Sequence, residues 1–303
     1  MGIVIEQAIL VLMFTVVGFT LVKTKLIDSK HTKILSTLAV YVYLSSTVFR
    51  TFATNFTISY LKEKYMLVIV SAVILVVLLL IMKPLSKLFA KDNEYKRNVL
   101  NYCMIVPNYG YVGYAMAEGI FGSLMLQNVL MVTIPVSMYA YTFGYCLLTR
   151  SKVSPKKLIN PVTIAMVAGA IVGLLEIPLP SVLAQFLGKA AGCMGPTGMI
   201  LIGAVTAEYP LRQMLKKKEV YFITALRLLV VPLVLGLGLR LLKLEMAMIP
   251  VMLVMAMPTS ANAIVFPKLV GEDCQTGASL ALISNVLCCA SIPLIFWLFG
   301  LMP

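Results

Sequence analysis

Polar residues in this chain are confined to short clusters between long apolar runs. Ten runs, at about 4–22, 34–52, 65–82, 98–121, 124–148, 160–177, 181–207, 219–241, 246–268 and 275–300, have the length and apolarity of membrane-crossing helices. Two of them are interrupted. The fourth carries Pro107-Asn108-Tyr109-Gly110, and the ninth carries Pro258-Thr259-Ser260-Ala261-Asn262. A proline followed by small polar residues is tolerated in lipid only where the freed backbone is buried in protein or lines a wet cavity. The pattern predicts an all-α membrane protein of about ten transmembrane helices, with the fourth and ninth broken.

The two breaks occupy corresponding places in the chain. Residues 1–150 hold five predicted spans, and residues 151–303 hold five more. Because five is odd, the second set enters the membrane in the opposite sense, giving a 5+5 inverted repeat. Gly18, late in the first span, matches Gly173, late in the sixth. Asn128-Val129-Leu130 leading to Ile134-Pro135 matches Asn285-Val286-Leu287 leading to Ile292-Pro293. Paired broken helices of this kind point to a solute-binding site at the bilayer midplane.

The chemistry follows from the backbone. Pro107 has no amide hydrogen and opens the helix before it. The half-helix starting near Asn108 presents free N–H groups and a positive dipole end, suited to an anion, whereas the preceding half-helix ends in carbonyls, suited to a cation or a donor. Thr259, Ser260 and Asn262 repeat the design in the ninth span. Opposite orientation would bring both breaks face to face. Two ordinary proline kinks sealed by neighbouring helices are the bland alternative; their pairing, with an asparagine at each, argues against it.

Composition and charge agree with a membrane location. Of 303 residues, 60% are hydrophobic and 12% charged, far below the roughly 25% charged of a soluble domain. The net charge of +13 suggests a nucleic-acid partner until it is mapped. Counting basic residues near span ends with the adjoining loop, eighteen of the 25 go with odd-numbered loops and six with even-numbered loops, while Arg227 lies deep within a span. The positive-inside rule then places the odd loops in the cytoplasm and both termini outside the cell membrane. Basicity reports topology, and no nucleic-acid partner is expected. The six cysteines lack a framework spacing, and the lone His31 makes a histidine metal site improbable.

Enzymatic function lacks its parts. There is no HExxH or GxxxxGK[ST] motif, and Asp28, Asp92 and Asp273 all lie in loops. A secondary carrier is the reading that fits, without a cofactor beyond a possible coupling proton or sodium ion. A channel or membrane sensor built on the same broken-helix pocket is the alternative.

Certain stretches resemble a known family. Pro107-Asn108-Tyr109-Gly110-Tyr111-Val112-Gly113, ending at Phe121-Gly122, is similar to the fourth span of the auxin efflux carrier family. Met257-Pro258 through Gly271-Glu272-Asp273 is similar to its ninth, and the Asn160-Pro161 start of the sixth span also matches. The resemblance covers nearly the whole chain. It implies the ten-helix fold of bile-acid sodium symporters, with spans 1, 2, 6 and 7 as a scaffold that often dimerises and spans 3–5 and 8–10 as a transport bundle. It also implies a permease for a small organic anion such as a dicarboxylate; alternating access, with symport of the coupling ion, is the mechanism expected of the paired breaks. Carried over, the crossover residues are Pro107, Asn108, Pro258 and Asn262.

Other candidates surround these. The family commonly has a proline midway along span two, where this chain reads Leu44-Ser45-Ser46-Thr47; span seven keeps Pro196. Ser45 and Ser46 either line the cavity or bond back to their own helix. Arg227, well inside span eight, is either a counter-charge for an anionic substrate or a snorkelling side chain with a structural partner. Glu118 and Asn285 are candidates for a coupling ion, although Glu118 also fits the watery outer end of its span.

Overall fold

The computed structural model describes residues 2–152, 154 and 159–300, and it is helical nearly throughout. Lys156 and Lys157, counted above among the loop cations, lie outside the described residues. The helices in chain order are α1 (Gly2–Lys23), α2 (Thr32–Asn55), α3 (Ile58–Phe89), α4 (Glu94–Ile105), α5 (109–121), α6 (Leu124–Leu148), α7 (Pro161–Leu174), α8 (Ser181–Glu208), α9 (Lys218–Leu241), α10 (Glu245–Met255), α11 (Asn262–Val270) and α12 (Gln275–Leu298). All ten apolar runs are therefore helical, and the fourth and ninth are each split in two. Among the described residues, six helices (α2, α3, α6, α8, α9 and α12) are long and apolar enough to cross a membrane; Ile9–Lys23 of α1, α7 and α10 are shorter apolar helices.

Local chemistry sets the boundaries. Asn160 caps α7 by accepting from the amides of Val162 and Thr163, both at 3.0 Å, while Thr163 Oγ1 accepts from the Asn160 amide at 2.8 Å. Pro161 then occupies a first-turn position where its missing N–H costs nothing. α3 begins well before the expected residue 65, because Thr57 Oγ1 accepts from the Tyr60 amide at 3.3 Å and starts a helix through Lys62-Glu63-Lys64. Its 32 residues span roughly 48 Å at 1.5 Å per residue. Hydropathy marked only the part able to lie in hydrocarbon.

α2 lacks the proline expected midway, yet it does not run as a plain α-helix. Ala39–Leu44 form a π turn, and Ser45 Oγ donates to the Val40 carbonyl at 2.8 Å across it. A widened turn thus stands where a proline kink was expected.

Two seams of close contact organise one side of the molecule. α1 lies along α8, and α7 lies along α2, with α8 also touching α2. In the first seam, a Cβ on Gly18 would lie 1.9 Å from the Ile200 carbonyl oxygen, and one on Gly203 would lie 1.9 Å from that of Thr15. In the second, Cβ atoms on Gly169 and Gly173 would lie 2.5 and 2.6 Å from the carbonyl oxygens of Phe49 and Phe52. Lipid tails are as apolar as leucine, so helices in a bilayer associate through such backbone approach at small residues. Gly18 and Gly173, paired by sequence, perform the same task in the two seams. The remaining helices pack around the broken pairs, and α3 turns a strongly apolar face outward through Ile69, Val73, Val76 and Leu80.

Gly203→Val should lower the melting temperature of the detergent-solubilised protein, since overpacking costs about 1–3 kcal/mol or more where backbone cannot move. Gly238→Val, whose added Cβ meets nothing within 4 Å, should melt close to the parent. Equal melting of both variants would show that the α1–α8 seam is not close-packed.

Candidate functional site: a crossing of two broken helices

α4 ends at Ile105, and the chain then runs extended through Val106 (φ −94°, ψ 112°). Pro107 has no amide to continue the helix. α10 ends likewise at Met255, ahead of Pro258. The two extended segments cross and pair: Pro107 and Thr259 form an antiparallel β-bridge. The Asn108 amide donates to the Pro258 carbonyl at 2.8 Å, and the Ser260 amide donates to the Val106 carbonyl at 3.3 Å. Groups that the prolines release from one helix are thereby satisfied by the other.

Side chains complete the repair of the second break. The Thr259 amide donates to Ser284 Oγ of α12 at 3.1 Å, and the Asn262 amide donates to Ser260 Oγ at 3.3 Å. Beside the first break, Tyr109 donates to the Tyr141 hydroxyl at 3.2 Å and shares a 2.8 Å hydrogen bond with Ser137 Oγ. The crossing is thus clamped by α6 on one flank and α12 on the other.

A narrow cavity of about 60 Å³ opens on one face of the crossing. Pro107, Asn108, Tyr109, Gly110, Ser260 and Asn262 form one wall, continued by Ser137 and Tyr141. Leu44, Thr47, Val48, Thr51 and Phe52 of α2, with Ala191, Met194 and Gly195 of α8, form the other. Among the described residues, none that lines the cavity is charged. Asn108 is 1% exposed and Asn262 is 4% exposed. Both amide atoms of Asn108, and Oδ1 of Asn262, lack a hydrogen-bond partner. A buried polar group left unpaired costs about 1–3 kcal/mol, so these atoms mark where a polar ligand would be received.

With that geometry established, the comparison with known families is decisive. The model of a family described as membrane transport protein matches residues 3–154 and 146–297. The chain belongs to this membrane transport protein family. The family is of the auxin efflux carrier type, so the resemblance read from the span-four and span-nine motifs is borne out. No individual curated protein matches the chain. Each matched stretch contains one broken helix, and the transporter is a multi-pass membrane protein.

The transporter brings together only part of the residue set expected from sequence. Pro107, Asn108, Tyr109, Ser260 and Asn262 line the cavity. Pro258 and Thr259 belong to the crossing but do not line the cavity. Ser45 is spent on the Val40 carbonyl and Ser46 is buried; Thr47 and Thr51 take the wall positions instead. Glu118 is exposed at the far end of α5. Asn285 is buried beside Ser284 with both amide atoms unpartnered, away from the cavity.

Arg227 is also away from the cavity. It is fully buried, in a π turn over Leu226–Val230 that precedes Pro232. Its Nη1 lies 3.9 Å from Met255 Sδ, and its Nε and Nη2 lack partners. Cys103 lies close by. Met255 ends α10 and Cys103 is in the last turn of α4. The guanidinium therefore stands beside two helix C-termini, whose partial negative charge favours a cation. Snorkelling does not describe it.

Ser284, Ser137, Tyr141, Thr47 and Thr51 were not singled out from sequence. Their roles arise from contacts between helices distant in the chain, which leave no periodic or spacing signal. Ser284→Ala should lower thermal stability by about 1–2 kcal/mol, because it strands the buried Thr259 amide. Ser279→Ala removes only a bond within α12, from Oγ to the Gln275 carbonyl, and should cost less. A Ser284→Ala variant as stable as the parent would show that α12 does not support the second break.

Proposed function

We propose that this transporter is a secondary active carrier for a small organic anion, a carboxylate or dicarboxylate, working by alternating access. The observation that carries the reading is the unsatisfied side-chain amide of Asn108, with the unpartnered Oδ1 of Asn262, at the crossing of two broken helices. Asn108 Nδ2 offers donors to a carboxylate, and the start of α5 adds the positive end of a helix dipole. Recognition by neutral donors and dipoles suits a substrate that must also leave. Charge-paired binding of equal geometry would release it more slowly. Arg227 does not touch this cavity, so its part is positive potential behind the crossing.

In this reading the ten helices form the 5+5 inverted repeat, divided at about residue 150. α1, α2, α7 and α8 act as scaffold, and the helices around the crossing act as the moving bundle. The cavity lies at the boundary between the two, where relative displacement would open it to either side. A homodimer through the scaffold, insertion in the cell membrane with both termini outside, and coupling to a proton or sodium ion complete the proposal.

Asn108→Ala should abolish saturable uptake of organic acids into proteoliposomes while leaving the melting temperature near that of the parent. Unchanged uptake would remove Asn108 from the substrate site. Arg227→Gln should weaken the half-saturating concentration roughly tenfold with little change in maximal rate, as expected for lost uniform binding. Uptake that rises linearly with concentration, without saturation, would favour a channel.

A further inference from the structure

A second cavity lies on the opposite face of α6 from the substrate cavity. Ser137 and Tyr141 face the crossing, whereas Tyr139, Phe143 and Leu147 face this groove. Its other walls are Leu79, Lys83 and Lys87 of α3, and Glu94, Arg97, Asn98 and Asn101 of α4. Each helix thus contributes a stripe at i, i+3 or i+4 spacing, so the groove runs along the axes for roughly 12 Å. Its volume is about 590 Å³, and it is open to one side.

Two nearby cations are paired, Lys96 with Glu219 at 3.0 Å and Arg150 with Glu272 at 3.0 Å. Lys83, Lys87 and Arg97 have no carboxylate within salt-bridge distance among the described residues. They converge on one groove against a single carboxylate, Glu94, at the rim. Deeper in, the buried Asn101 Oδ1 and Tyr139 hydroxyl have no hydrogen-bond partner. The flanks are apolar and outward-facing, with Val76 and Leu80 on α3 and Met138 and Phe143 on α6 all exposed.

We infer that this groove binds the phosphate-bearing headgroup of an anionic phospholipid. Lys83 and Arg97 receive the phosphate oxygens, and Asn101 Oδ1 and the Tyr139 hydroxyl receive headgroup hydroxyls. The acyl chains leave over the exposed apolar faces of α3 and α6. The groove is at the end of the molecule that carries the most basic loops, the level at which anionic headgroups concentrate cations. A soluble phosphate ester would find the same donors but no use for the apolar flanks, and this favours the lipid. The bound headgroup would join α3, α4 and α6, all on the bundle side of the substrate cavity, without bridging to α2 or α8.

The test measures thermal shift of the purified full chain in neutral detergent, titrated with phosphatidylglycerol, phosphatidylcholine or glycerol phosphate. Phosphatidylglycerol should raise the melting temperature and the other two should not. Lys83→Gln combined with Arg97→Gln should weaken the apparent affinity on the order of tenfold to thirtyfold, from the contribution of two interfacial cations. Should that pair melt too low to titrate, Lys87→Gln and Asn101→Leu singly should each weaken the response. Asn108→Ala should keep the full lipid response, so the result does not depend on the transport reading. A full phosphatidylglycerol shift in the charge-neutralised variants would overturn the site. An equal shift with glycerol phosphate alone would overturn the lipid assignment.

Discussion

The structure depends on one exchange of hydrogen bonds. Two prolines release backbone groups in the interior of a protein surrounded by hydrocarbon, where each unmet group costs several kcal/mol. Val106 to Asn108 and Pro258 to Ser260 settle that cost between them by pairing as two short antiparallel strands. Neither break is sustainable alone. Their mutual pairing explains why the interruptions come as a pair, why both are deeply buried, and why α6 and α12 converge to brace them.

Once the backbone is satisfied in this way, the side chains at the crossing are released for other work. The side chains of Asn108 and Asn262 are not needed to hold the segments together, and both polar atoms of the Asn108 side chain and Oδ1 of Asn262 remain unpaired in the cavity wall. The cavity is electrically neutral in its lining among the described residues, while the fully buried Arg227 stands behind it at the carbonyl ends of α4 and α10. Helix termini thus contribute to both faces: amide ends toward the cavity, carbonyl ends toward the arginine. A site of this design discriminates by shape and hydrogen-bond direction more than by net charge.

The two glycine seams supply the contrasting mechanical element. Backbone-to-backbone contact along α1–α8 and α2–α7 leaves no room for side chains to slide. The opposite side of the cavity is built from kinked, widened or broken helices, with methionines such as Met255 and Met257 near the crossing. A stiff seam facing a deformable, proline-rich assembly places the contrast in rigidity at the cavity itself.

Much of this was legible in the chain. Each of the ten apolar runs proved helical, because hydrophobic length is a property of consecutive residues. Pro107 and Pro258 identified the breaks for the same reason, since a missing amide acts on its own helix. Gly18 and Gly173 were matched before their contacts were known. What the sequence lacked was any record of which distant groups meet. The direct pairing of the two breaks, the support from Ser284, and the diversion of Ser45 to its own helix depend on how helices are placed in space. So does the position of Arg227 behind the cavity and not within it. Local hydrogen-bonding capacity and hydropathy are written along the chain, whereas the partner that satisfies each group is chosen by tertiary packing.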